Sequence, residues 1–364
     1  MQLPPSLELL DGGLVRVGRR KLVYFAGCDY FRLSRHPVVR RALEAGLRQH
    51  GLTVAASRWT TGNHRLYAEL EASLAAFFGA PAALLTGNGY AANGVAAQAL
   101  RGEVSHAIID AKAHPSLQDA ARALDCPVIP FEHRDPASLA AALRRAHRPP
   151  KPLLLTDGLF AHDGALAPLP DYLRLLPPGG LVLLDDAHAA GVLGKRGQGM
   201  LEHFGLPRRR VIQTITLSKA IGVYGGAILC DARLRQKMVA RSHLFAGSTP
   251  LPLPLAAAAL AAVRLLKSGT RSRRRLAATV IRAKNELRSQ GFVIPDTPAP
   301  IIAVAPRSAA EAASLKRRLL NRGIFPSFIR YPGAPKGGYF RFALSSEHSA
   351  AQVAALVEAL GVRL

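Results

Sequence analysis

Between residues 82 and 184, short and almost wholly apolar runs alternate with helical patterns, and this alternation narrows the fold more than any other feature of the chain. Residues 82–85, 107–109, 128–131, 153–156 and 181–184 read as strands; 91–100, 116–124 and 136–147 read as helices. Strands with no polar face are covered on both sides, so the expectation is an α/β fold with a mostly parallel sheet between helices. Ligands of such sheets sit beyond the carboxyl ends of the strands. Upstream, 21–26 reads as a strand and 38–50 as a helix. A second helix over 65–78 carries Leu66, Leu70, Leu74, Phe77 and Phe78 at helical spacing. Beyond Pro250, Pro252 and Pro254 the chain enters helices, the second over 273–289, and then a small α+β unit built from 301–305, 309–321, 338–344 and 350–360. The expected division is an N-terminal segment over 1–50, a large domain over 51–250, and a small C-terminal domain with its linking helix over 251–364.

Composition sets limits on function. In 364 residues no apolar run approaches the roughly 20 needed to span a membrane. The first residues lack the basic-then-apolar order of a secretory signal, so a cytoplasmic enzyme without membrane partners is expected. Cys28, Cys126 and Cys230 are far apart and without paired spacing, which argues for reduced thiols rather than disulfides or a cysteine metal site. The net charge of +24 would suit a polyanion. Its arginines are spread over nearly every helix, however, and the local runs at 144–151, 208–210 and 271–275 are not interleaved with aromatics. Nucleic acid is therefore not the expected partner; a small phosphorylated molecule would be attracted.

The chemistry gathers at strand ends. Residues 211–230 read as a strand, a polar turn with Ser218 and Lys219, a glycine-rich stretch and a second strand. Burial between strands disfavours an ammonium group and makes a lysine a candidate Schiff-base nucleophile, although a lysine in a loop is ordinarily just solvated. Leu181-Val-Leu-Leu-Asp-Asp-Ala-His188 puts Asp185 and His188 just past an apolar strand. An aspartate against a ring nitrogen keeps that nitrogen protonated, and a lysine forms an imine with an aldehyde; together they describe a pyridoxal 5'-phosphate (PLP) site. Thr86-Gly-Asn-Gly-Tyr-Ala-Ala-Asn93 places glycines between a strand and a helix start, where backbone N–H groups cradle an anion. Thr216 and Ser218 offer hydroxyls beside the lysine. His114 follows another strand, where an imidazole stacks on a pyridine ring or merely caps a helix.

These motifs resemble the α-oxoamine synthases, a family of fold-type I PLP enzymes. The resemblance runs nearly end to end: Asp29-Tyr30 with Leu33, Ser57-Arg58, Gly62-Asn-His64, Gly89-Tyr-Ala-Ala-Asn93, Asp185-Asp-Ala-His188 with Gly191, Thr216-Leu-Ser-Lys-Ala220 with Gly225-Gly226, and Arg341-Phe-Ala-Leu-Ser-Ser-Glu-His348. It implies that Lys219 holds PLP and moves the substrate's α-proton, that Asp185 pairs with the pyridine nitrogen, that His188 bonds the ring hydroxyl and that His114 stacks on the ring. Gly89, Tyr90 and Thr216 would bind the phosphate. Ser248 would reach a partner subunit's phosphate site, which implies a homodimer. Arg341 would grip the amino acid's carboxylate, with the Cys28 position and Arg58 also on the substrate side. The implied reaction condenses an amino acid with an acyl-CoA or acyl carrier thioester, releasing CO2.

Three positions depart from the family pattern. Cys28 replaces an asparagine that helps hold the carboxylate, and a thiol is a weak donor. In Thr156-Asp-Gly-Leu-Phe-Ala-His-Asp163, Asp157 stands for a glutamate and Ala161 for a serine. A glycine and serine loop is Thr53-Val-Ala-Ala56 here, which stiffens it. These departures leave open alanine as the substrate, another amino acid, a simpler PLP reaction such as racemisation or amino transfer, or a non-catalytic PLP-binding subunit.

Overall fold

The structure, a computed structural model, describes residues 5–145, 151–330 and 337–361. The expected helix end at residue 147 and part of the 144–151 basic run lie outside them. The chain divides into two compact units, one of Met1–Arg35, Ala161–Ala165 and Arg271–Leu364, the other of His36–Phe160 and Leu166–Thr270.

The smaller unit opens with a three-stranded antiparallel sheet, β1 (Glu8–Leu9), β2 (Leu14–Val17) and β3 (Arg20–Val23). The larger unit begins at α1 (Pro37–His50) and α2 (Arg65–Phe78). Then β4 (Ala82–Thr86), α3 (Gly89–Leu100), β5 (His106–Asp110), α4 (Pro115–Ala123), β6 (Val128–Phe131), α5 (Pro136–Arg145), β7 (Pro152–Asp157), α6 (Leu169–Leu175) and β8 (Leu181–Asp185) alternate as the apolar pattern predicts. After the short α7 (Met200–His203) come β9 (Val211–Thr216), β10 (Gly226–Cys230), α8 (Ala232–Arg241), α9 (His243–Ala246) and α10 (Leu253–Ser268).

The seven-stranded sheet has the order β4-β10-β9-β8-β7-β5-β6. Its pairs are parallel from β9 to β6, and β10 runs antiparallel to both its neighbours. Strands β5, β7 and β10 are buried along their whole length, and fully covered residues such as Leu84, Leu155, Leu183 and Ile228 join Val95, Ala96 and Leu117 of the covering helices in one core. Each such leucine or isoleucine contributes roughly 1.5–3 kcal/mol by leaving water. Helix α3 is rich in alanine and glycine, so its backbone comes close to the sheet.

Within the smaller unit, α11 (Thr270–Ser289), β11 (Ile301–Val304), α12 (Ala309–Asn321), β12 (Phe328–Ile329), β13 (Tyr339–Ala343) and α13 (Ala350–Gly361) form the second sheet, order β11-β13-β12, and its helices. The first 35 residues belong with them because backbone bonds tie them there: Val23 N–H to Gly323, Phe325 N–H to Val23, Ala343 N–H to Phe25 and Ser346 N–H to Tyr30. The division therefore falls elsewhere than at 50 and 250. Helix α1 goes with the larger unit, since Gly46 lets it cross α10: a Cβ there would meet Pro254 Cα at 2.9 Å and the Ala257 methyl at 3.1 Å. Among the described residues no single helix is long and apolar enough to cross a membrane.

Candidate active site

The carboxyl ends of β7, β8 and β9 stand in register, Asp157 beside Asp185 and Asp185 beside Thr214. Beyond β9 the chain turns back directly into β10. Leu217 N–H bonds Gly225 and Val223 N–H bonds Leu217, while Gly222, at φ +73°, closes a bond from its N–H to the Lys219 carbonyl. Lys219 is thereby half-buried at the tip of a hairpin. His188 is buried in the turn after β8, and that turn abuts the hairpin: a Cβ at Gly191 would lie 2.6 Å from the Ala220 methyl.

His114 caps α4 from the end of β5. Its backbone N–H donates to Asp157 Oδ2 at 2.8 Å. Burial lowers the pKa of its ring, the Asp185 carboxylate opposes that and the Lys219 ammonium adds to it. Ser116 N–H donates to Nδ1, so this nitrogen carries a lone pair and the proton of the neutral ring sits on Nε2. Asp157, enclosed and next to Asp185, has its pKa raised well above the usual carboxylate range, chiefly by burial and then by the Asp185 charge.

Asp185 accepts from the Asn93 amide at 2.7 Å on Oδ2 and from Ala187 N–H at 3.1 Å on Oδ1. Asn93, fully buried on α3, also donates to Ser116 Oγ at 2.9 Å and accepts from Thr214 Oγ1 at 2.6 Å. The sequence reading gave Asn93, Ser116 and Thr214 no part in the site. The available signal was Asn93 itself, a polar residue one turn beyond Gly89 on a mostly apolar helix.

At the start of α3, Asn88 caps the helix by accepting from Ala91 N–H at 2.8 Å. Gly226 and Gly89 bring this start against the sheet, since a Cβ on Gly226 would lie 2.3 Å from the Asn88 carbonyl oxygen and one on Gly89 2.7 Å from Thr216 Cβ. Gly87, in contrast, has open space where a side chain would stand. Tyr90 is half-exposed, donates to Asp119 at 2.5 Å and meets the His114 ring edge-on at 6.0 Å.

Two expected site residues are otherwise engaged. The Arg58 guanidinium pairs with the buried Glu71 carboxylate, donates through Nε to Asn63 at 3.0 Å and lies over the Tyr67 ring at 5.0 Å. Glu71 also receives Arg235 at 2.8 Å and the Leu85 N–H at 3.0 Å. Arg58 is thus held within the larger unit by Glu71, Asn63 and Tyr67. Ser248 is exposed and donates to the Leu244 carbonyl of its own chain at 2.5 Å.

Arg341 and Cys28 belong to the smaller unit. Among the described residues, buried Arg341 Nε has no hydrogen-bond partner and Nη1 makes a 3.5 Å contact to the Ala161 carbonyl, so its fork has capacity for a carboxylate. Cys28 lies against Tyr30, whose phenol is pushed well up by burial and then by that thiol.

A family model described as aminotransferase class I and II matches residues 20–360. The chain is 35% identical to the 8-amino-7-oxononanoate synthase of Nitrosococcus oceani, over 97% of this chain and 94% of that one. It superposes on the serine palmitoyltransferase of S. paucimobilis, solved with bound PLP and myriocin, with a TM-score of 0.92 at 24% identity, covering 98% and 91% of the two chains. Against the 8-amino-7-oxononanoate synthase of Francisella tularensis the TM-score is 0.80 at 22% identity, covering 93% and 96%. At these identities the two structures speak to the fold.

Proposed function

The chain belongs to the aminotransferase class I and II family, and from that premise we propose that it is a PLP-dependent α-oxoamine synthase of the 8-amino-7-oxononanoate synthase type. The reaction condenses an amino acid, with alanine favoured, and an acyl-CoA or acyl carrier thioester to an α-oxoamine, releasing the thiol and CO2. The observation that carries this reading is the gathering of Lys219, the Asp185 carboxylate and the neutral His114 ring at the carboxyl ends of β9, β8 and β5 of one sheet.

The residues present fit PLP. Asp185 keeps lone pairs beyond its two internal bonds for a ring N–H. The open space at Gly87, beside the capped start of α3, suits a phosphate next to backbone donors. When bound, PLP supplies an aldehyde for imine formation and a ring that draws electrons from the substrate's α-carbon.

The chain's own groups then have distinct tasks. Lys219 Nζ offers the amine and moves the α-proton. Asp185 accepts from the ring nitrogen and keeps that proton in place. His114 presents a neutral face for stacking, and His188 lies in the turn against the lysine hairpin to bond the ring hydroxyl. Gly89, Tyr90 and Thr216 hold the phosphate side. Arg341 takes the carboxylate of the amino acid through its bidentate fork.

A homodimer is supported by the large apolar side chains that the larger unit leaves exposed, Leu52, Trp59, Tyr90, Tyr224 and Leu244, and by the exposed Ser248 just beyond the last of them. A cytoplasmic setting suits Cys28, Cys126 and Cys230, all free thiols. A second reading, a relative acting on another amino acid, is favoured by Cys28, which faces Tyr30 in place of an amide donor.

The test is borohydride reduction of the PLP-loaded protein followed by peptide mapping. Label on Lys219, and none in Lys219→Ala, is expected, together with thiol release when alanine and an acyl thioester are both supplied. Label on a different lysine would remove the assignment. Turnover of amino acids without thioester consumption would replace the synthase reaction by racemisation or amino transfer.

A further inference from the structure

We infer that Asn93 is the positioning residue that locks two PLP-contacting groups, Asp185 and His114, into one rigid unit. This rests on the PLP reading above.

Three groups meet at the Asn93 amide, and a fourth, His114, is reached through one of them. Thr214 Oγ1 donates to Oδ1 at 2.6 Å; Nδ2 donates one hydrogen to Asp185 Oδ2 at 2.7 Å and the other to Ser116 Oγ at 2.9 Å. Ser116 Oγ lies 2.7 Å from His114 Nδ1. The direction of each bond follows from chemistry. A carboxylate only accepts, so the amide nitrogen must face Asp185 and the amide oxygen must face Thr214. Nδ1 already accepts the Ser116 N–H, so the Ser116 hydroxyl donates to it as well. The relay therefore runs from Thr214 through Asn93 to Asp185 in one branch and to Ser116 and His114 in the other.

Three consequences follow. Asp185 receives a donor that sets the plane of its carboxylate. His114 is held in the tautomer with its proton on Nε2, and its ring angle is fixed by the same amide that fixes Asp185. Because Asn93, Ser116 and Thr214 are all buried, water does not compete for these bonds, and loss of any member leaves a buried polar group unmet. Asp185 prevents the amide from turning over, since a flipped amide would set its oxygen against the carboxylate, and Thr214 supplies the hydroxyl that the amide oxygen then faces.

The experiment is a PLP titration of the purified full chain, followed by fluorescence and by the visible absorbance of the bound cofactor across pH. Circular dichroism and thermal melting of the same samples report folding. Asn93→Leu is expected to weaken PLP binding about 10- to 100-fold, the cost of losing hydrogen bonds to a charged group, and to displace the pH midpoint of the visible band. Thr214→Val, which leaves Asn93 in place, is expected to weaken binding about 3- to 10-fold, and Thr214→Ser to restore it. The effects of Asn93→Leu and Ser116→Ala should be non-additive, because both interrupt one branch. Asp185→Asn serves as the reference for a lost ring partner. Wild-type affinity and an unshifted band in Asn93→Leu and Thr214→Val, with Asp185→Asn impaired, would overturn this inference alone. If Asn93→Leu does not fold, the Thr214→Val and Thr214→Ser pair decides it. A wild type that binds no PLP would overturn both this inference and the function it rests on.

Discussion

Arg58 illustrates how a conspicuous residue acquires its role from a partner the local sequence does not advertise. Its guanidinium closes on Glu71, a helix residue with no motif around it, and the pair is shut away beneath Tyr67 and Phe245. Removing the cation strands a buried carboxylate, which Arg235 and the Leu85 N–H then serve alone. Arg58→Met is expected to cost about 3 kcal/mol of stability, as a broken buried pair does, while the visible band of bound PLP survives. A melt unchanged from wild type together with lost substrate affinity would return Arg58 to the substrate side. Ala55 makes the opposite case, a small residue under strain. It sits at φ +51°, a left-handed conformation that costs an L-residue about 1–2 kcal/mol and suits glycine. Ala55→Gly should therefore leave the melting temperature unchanged or raise it by the equivalent of up to about 1 kcal/mol. A clear fall would mean that the methyl group makes contacts worth more than the strain.

Elements are positioned by close approaches at single glycines. Gly46 brings α1 onto α10 with no room for even a methyl group. Gly46→Ala should destabilise the larger unit by about 1–3 kcal/mol through overpacking, despite the roughly 1 kcal/mol better helix propensity of alanine. A higher melting temperature would show that the crossing yields. The core elements were readable from sequence because each strand is apolar on both faces and each covering helix follows at once. Residues 128–131 and 309–321 coincide with β6 and α12. Lys219, Asp185 and His114 were readable for the same reason, each standing just past such a strand. What stayed hidden depends on long-range pairing. Asn93 and Asp185 are 92 residues apart, and the first strands pair with backbone some 300 residues downstream, where no local period records the contact.

On the scale of the whole molecule, pH acts through carboxyl groups enclosed near the sheet. Asp186 is fully buried; Gln213 and the Met200 N–H serve Oδ2, while Oδ1 has no hydrogen-bond partner among the described residues. Burial pushes its pKa up to about 7, with Asp185 adding to the shift and Arg208 opposing it. The folded state then holds a proton that the unfolded chain releases near pH 4. This group's contribution to stability is complete below about pH 4 and is lost as pH rises through about 7. Asp186→Asn, neutral throughout, should remove that part of the slope. Melting curves at matched pH check this: the wild type should lose ground to the variant between pH 4 and 7, and parallel curves would exclude Asp186 as the source.

The single reversed strand, β10, carries one more consequence. Because β9 and β10 are joined by a hairpin, the setting of Lys219 depends on neighbours in sequence, and hairpins close within microseconds. Parallel pairing of β8 with β9 must wait for a crossover, and so must the arrival of Asp185 and His114. The hairpin that carries Lys219 is therefore expected to close before Asp185 and His114 arrive. A substitution that delays a crossover will therefore postpone cofactor capture while leaving the lysine where it belongs.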